Sequence, residues 1–133
     1  MNERSDLENF AARHAKAWCS QNPESVAAFF AEKGSLKVNN QAPAVGRVAI
    51  AAIARGFMHD FPDMVVTFDK LEPRADATAF HWTLTGTNAK TGNRVRISGY
   101  ELWKIDNDGL IAESSGHFDA ANYERQVKGA PEL

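Results

Sequence analysis

The residues between positions 101 and 119 include several side chains that can move protons. Glu101 lies in the run 94–105, and Val95, Ile97, Gly99, Trp103 and Ile105 share its parity. A lone carboxylate on an apolar strand face costs free energy unless it is paired or protonated. Burial raises its pKa, which suits a general acid or base working near neutral pH. Further along, Glu113, Ser115, His117 and Asp119 alternate with Ala112, Ser114, Gly116 and Phe118. One face near the end of a strand therefore collects two carboxylates, a hydroxyl and an imidazole. A polar face of this kind is expected where solvent or substrate replaces apolar cover.

Other readings of the same residues stay open. Asp119 is also a favoured N-cap for a helix starting near Ala120. Glu101 could pair with Arg94, Arg96 or Lys104 at a sheet edge. His14, between Phe10 and Trp18 on a helical stripe, could be a buried, hydrogen-bonded core residue. Trp18, Trp82 and Trp103 could be core rather than ligand walls. His117 and Asp119 have no evident third partner, so no metal site is expected.

The elements that must position these groups can be read from patterning. Leu7, Phe10, Ala11, His14, Ala15 and Trp18 recur at three- and four-residue steps, predicting a helix from Ser5 to about residue 20, with Ser5 and Glu8 at capping-box spacing. Pro23 opens a second short helix that Gly34 is expected to end. Residues 35–39 predict a short strand and 40–43 a loop. A third helix spans about 47–59 and stops at Phe61-Pro62, since the residue before proline leaves helical geometry. Residues 64–71, 77–87, 94–105 and 110–118 are then strands, the last two joined by the turn Asp106-Asn107-Asp108-Gly109. Helices followed by an antiparallel meander predict an α+β fold with the helices on one face of a curved sheet.

Composition limits the alternatives. The chain has 133 residues, enough for a single domain, and 44% of them are hydrophobic. Fifteen Lys+Arg against seventeen Asp+Glu give a net charge of −2, which argues against a nucleic-acid surface. No apolar run approaches the roughly 20 residues that span a bilayer. The first ten residues are charged where a signal peptide is apolar, and Cys19 is alone, so a cytoplasmic protein without disulfides is expected.

Six short motifs occur in order: Asp60-Phe61-Pro62-Asp63, Gly86-Thr87-Asn88, Thr91-Gly92-Asn93, Asp108-Gly109-Leu110-Ile111, Glu113, and Asp119 ten residues after Gly109. Together they resemble the SnoaL-like polyketide-cyclase branch of the nuclear-transport-factor-2-like superfamily over roughly residues 5–128. The resemblance implies a cone-shaped, cystatin-like α+β fold, a curved antiparallel sheet wrapped round N-terminal helices with a pocket at its open end. It places Asp119 at the position of the acidic residue used for acid–base work in the cyclases, Glu101 where members carry polar pocket groups, and His14 at the level of pocket donors. Ser115 stands where the family usually has an aromatic residue, and the loop between Asn88 and Thr91 is shorter than in the cyclases. Glu101, His117 and Asp119 are therefore the expected catalytic groups. His14, Trp18, Trp82, Trp103 and Ser115 are expected to contact the ligand. The implied chemistry is proton abstraction α to a carbonyl and reprotonation of a hydrophobic small molecule, in a cofactor-independent isomerase, cyclase or dehydratase. The alternative is a non-enzymatic binding or dimerisation module of the same fold. Large apolar groups on both parities of 94–105 also predict a homodimer through the outer sheet face.

Overall fold

A computed structural model describes residues 3–131. Its elements are α1 (Glu3–Cys19), α2 (Pro23–Ala27), β1 (Phe30–Val38), β2 (Ala44–Val45), α3 (Arg47–Asp60), β3 (Val65–Pro73), β4 (Thr78–Thr87), β5 (Arg94–Ile105), β6 (Ile111–Phe118) and α4 (Ala120–Val127). One six-stranded sheet runs in the order β2-β1-β6-β5-β4-β3. The fold is α+β, with α1 and α3 packed on the inner face of the sheet.

Three elements differ from the expected pattern. The first helix starts at Glu3, so Ser5 sits within its first turn rather than at its cap. The second helix ends at Ala27, because Phe30 is drawn into β1 opposite Ile111. Gly34, expected to end a helix, instead lies inside β1 at a register shift, where a Cβ would come 2.8 Å from the carbonyl of Ile111. β1 pairs with β6 in parallel, so the sheet is mixed rather than a pure antiparallel meander.

The hairpin between β5 and β6 has the expected turn. Asp106 Oδ1 accepts from the amides of Asp108 and Leu110, and Gly109 takes the positive φ of 79°. Immediately beyond the turn the register slips. Ile105 faces Ile111, but Lys104 faces Glu113, so Ala112 is an extra residue in β6. A one-residue slip moves every following side chain to the opposite face of the sheet. Ser114, Gly116 and Phe118 thus point inward beside Trp103, Glu101 and Gly99, while Glu113, Ser115 and His117 point outward.

Apolar burial is continuous from α1 to the sheet. Phe10, Ala11 and Trp18 of α1 pack with Ile50, Ala54 and Met58 of α3 and with Phe80, Ile97 and Trp103 of the strands. Each fully buried aromatic or aliphatic side chain of this kind is worth about 1.5–3 kcal/mol.

Candidate functional site

Two cross-strand rows on the inner face create a cavity. One row is Trp82–Gly99–Phe118 and the next is Phe80–Glu101–Gly116–Val38. Each row contains a glycine: Gly99 makes room for the Trp82 ring that lies over it, and Gly116 lines the cavity where a side chain would otherwise fill the cone. The result is a cavity of about 70 Å³, with Glu101 in its wall beside the rings of Trp18, Phe57, Trp82, Phe118 and Tyr123. Leu36, Val66, Leu84 and Ile97 complete an otherwise aliphatic lining. Val38, Phe57, Phe118 and Tyr123 also border a surface groove of about 380 Å³ between α3 and α4, so the cavity and the groove share a wall. Burial, with Asp60 nearby, raises the pKa of the Tyr123 phenol at this boundary.

Glu101 is 6% exposed. Its Oε1 accepts from the Ser114 hydroxyl at 2.6 Å and from Trp103 Nε1 at 3.2 Å. Both bonds fall on Oε1, which leaves Oε2 as the oxygen available to the cavity. Burial raises the Glu101 pKa, and the two hydrogen bonds oppose that rise. In the neutral acid the proton belongs on Oε2, since Oε1 is already engaged as an acceptor. A carboxyl group anchored through one oxygen and free at the other can give or take a proton without reorienting.

His14 is buried completely, in the core behind the cavity. Its Nε2 accepts from Trp18 Nε1 at 3.1 Å, so the neutral ring carries its proton on Nδ1. That Nδ1 has no hydrogen-bond partner. The rings of Trp18, Phe29, Phe30, Phe80 and Trp103 surround it edge to face at 5.0–6.2 Å. Burial without an acidic neighbour lowers its pKa to about 3.

Of the residues expected at the site, the structure brings together Glu101, Trp18 and Trp82 on the cavity wall. Trp103 lies behind them, 1% exposed, and anchors Glu101. The other expected groups are elsewhere, and the anticipated cluster of Glu101, His117 and Asp119 is not formed. The bulge at Ala112 turns His117 and Ser115 to the outer face. There the His117 ring stacks on Tyr100 at 5.0 Å, and Ser115 Oγ lies 3.2 Å from His117 Nε2. Asp119 is exposed and caps α4, its Oδ1 accepting from the amide of Asn122 at 3.0 Å. Among the described residues no three His, Cys, Asp or Glu side chains are grouped as a metal would need.

Several site residues were not anticipated. Ser114, Gly99 and Gly116 are small residues on the inner face, and their signal was their size beside a buried Glu and two Trp. Phe57, Phe118 and Tyr123 come from three separate elements, and nothing local in the sequence marks them as neighbours.

A family model of the SnoaL-like domain matches residues 11–114. A comparison with curated proteins finds no match. Among solved structures, a hypothetical protein with a ketosteroid isomerase-like fold from Catenulispora acidiphila, in complex with trimethylamine, superposes with a TM-score of 0.81 at 18% identity, covering 92% of this chain and 93% of that one. A putative SnoaL-like polyketide cyclase from Jannaschia sp. CCS1 gives 0.76 at 14% identity, covering 98% and 100%. The epoxide hydrolase/cyclase-like enzyme SalBIII, of pyran ring formation in salinomycin, gives 0.77 at 13% identity, covering 91% and 96%. At these identities the shared property is the fold.

Proposed function

The chain belongs to the SnoaL-like domain family, and we propose that it is a cofactor-independent acid–base catalyst acting on a small hydrophobic carbonyl compound, with Glu101 as its proton-transfer group. One observation carries this reading. Glu101 is the carboxylate of an apolar, aromatic-walled cavity, held by two hydrogen bonds on Oε1 with Oε2 left to a ligand. In the forward step the ionised Oε2 takes a proton from the carbon α to the carbonyl. The C–H electrons form a carbon–carbon double bond, and the carbonyl π electrons move to its oxygen. Where the substrate carries a β,γ double bond, returning the proton from Oε2 to the γ carbon shifts that bond into conjugation, restores the carbonyl and completes an isomerisation without a co-reactant. A raised carboxyl pKa suits both halves of this cycle.

The test is α-proton exchange in D₂O with a panel of small ketones and enones, from butan-2-one to cyclopentenone, followed by NMR. The wild type should accelerate exchange for at least one member. Glu101→Gln, which keeps an acceptor for Ser114 and Trp103, should lose about 10²–10⁴-fold of that rate. Equal exchange by both proteins would remove Glu101 from the chemistry.

A second role, binding without turnover, has a separate observation behind it. Five aromatic rings and one carboxylate line a small cavity, which suits an alkylammonium held over aromatic faces, and the Catenulispora acidiphila neighbour holds trimethylamine. Under this role trimethylamine would raise the melting temperature while no ketone exchanged.

We also propose that two copies pair through the outer sheet face, where His81, Tyr100 and His117 form an aromatic row across β4, β5 and β6. A monomer mass by light scattering at micromolar concentration would contradict this pairing.

A further inference from the structure

Three indole N–H groups lie in or behind the cavity wall, and their partners differ. Trp18 Nε1 donates to His14, and Trp103 Nε1 donates to Glu101. Trp82 Nε1 is buried and has no partner. Native proteins seldom leave a buried donor unmade, because the loss is the full desolvation of the group. The other buried orphan among the described residues, His14 Nδ1, is closed in by aromatic rings outside the cavity lining. Trp82 differs because its ring is part of the lining.

The indole is also held in place. Trp82 pairs across the ladder with Gly99, and a Cβ at Gly99 would come 2.7 Å from Trp82 Cζ2. The ring therefore lies over the bare backbone of Gly99, with Phe118 edge-on at 6.0 Å. Glu101 stands two residues along β5 from Gly99 on the same face, diagonal to Trp82. Such diagonal positions are about 7–8 Å apart, a span that a small ligand bridges.

We propose that Trp82 is not only an apolar wall but the hydrogen-bond donor for the ligand's oxygen, so that the site selects molecules with a carbonyl or similar acceptor next to an apolar group. This rests on the reading of the cavity as a ligand site. In the α-proton step the donor faces the oxygen that gains charge while Glu101 Oε2 handles the proton. A fixed donor aimed at developing charge is a common source of transition-state stabilisation.

The experiment uses the full chain, ¹⁵N-labelled, and a matched pair of probes, butan-2-one and 2-methylbut-1-ene, which differ in an oxygen against a methylene. Trp82→Phe assigns the indole signal, and the already bonded Trp18 indole is the internal reference. Butan-2-one should move the Trp82 indole proton downfield, and the alkene should not. In Trp82→Phe the affinity for the ketone should fall roughly 2- to 12-fold, the value of one hydrogen bond, with the alkene affinity unchanged. Ketone binding that leaves the Trp82 proton in place would overturn the donor role while the cavity reading stands. So would a variant that loses both probes alike. If neither probe binds the wild type, the cavity reading falls and the donor role falls with it. Should Trp82→Phe fail to fold, the wild-type titration decides alone.

Discussion

His14 and Glu101 are both polar side chains buried on apolar surfaces, and they back onto each other through Trp18 and Trp103. Trp18 donates to His14 while its ring lines the cavity, and Trp103 packs on His14 while donating to Glu101. Yet the two regions do different work. Around His14 aromatic rings close every side, and the imidazole is locked neutral in one tautomer. Around Glu101 the neighbouring Gly116 withholds cover, and one carboxyl oxygen is left to a cavity. Burial and a shifted pKa are common to both, so neither by itself marks a functional site. The distinguishing feature is the missing apolar neighbour.

The comparison predicts opposite pH behaviour. His14 has a folded pKa of about 3 against 6.5 for the free imidazole. Between those values the unfolded chain binds more protons, so stability is full above pH 6.5 and falls on acidification, by about 1.4 kcal/mol per unit within that window. Glu101 has a raised folded pKa. Its contribution is full below the ordinary carboxylate range and is lost as pH rises through the folded value.

Mutations should separate the regions further. His14→Ala empties the aromatic cage and strands the Trp18 N–H, and should cost about 3–5 kcal/mol in urea denaturation, as for other large core truncations. The same variant should lose the acid-side slope. A His14→Ala protein with wild-type stability would contradict the closed-core account.

Gly99→Ala comes next in size. Its Cβ would lie 2.4 Å from the His117 carbonyl oxygen and 2.7 Å from Trp82. Overpacking of this kind costs about 1–3 kcal/mol and should displace the indole, which near-ultraviolet circular dichroism would register.

Asp119→Ala should cost about 0.5–2 kcal/mol through the lost cap and leave ligand binding unchanged, with Asp119→Asn nearly silent. Loss of turnover in Asp119→Asn at intact stability would restore Asp119 to the chemistry.

The smallest stability change is expected for Gly116→Ala. A Cβ there meets Glu101 Cγ at 3.7 Å and the Lys37 carbonyl oxygen at 3.4 Å, ordinary contacts. The variant should stay within about 1 kcal/mol of wild type, on the stabilising side. It should also weaken ketone binding by narrowing the cavity beside Glu101, which calorimetry with butan-2-one would read.

Glu101 was legible in the sequence because a carboxylate in an apolar parity stands out against period-two alternation. The helices and the strands β3 to β6 were legible for the same reason, through periodicity and turn chemistry, whereas β1 begins at Phe30, ahead of the short strand expected over 35–39. The composition of β6 was legible too, but its orientation was not. Alternation says which residues share a face; it does not say which face is inner. Continuing the pairing of Ile105 with Ile111 without interruption would set Ser115 and His117 inward beside Glu101. The extra residue at Ala112 reverses that assignment, and no Gly or Pro at that position signals a bulge. The polar parity ending in Asp119 is therefore an outer face and a helix cap, and Gly116 and Phe118 of the opposite parity line the cavity. The parallel pairing of β1 with β6 was hidden because parallel contacts depend on segments about 80 residues apart, such as Leu36 and Ser114.

The central claim is that Glu101 titrates as a buried group whose free oxygen faces a ligand cavity. The most direct measurement is a pH titration of the Glu101 side-chain carboxyl by ¹³C NMR on glutamate-labelled protein, assigned with Glu101→Gln and repeated with butan-2-one present. The account predicts a midpoint above the ordinary glutamate range that moves when the ketone binds. A midpoint at the ordinary glutamate value, or a raised one that the bound ketone leaves untouched, would contradict it.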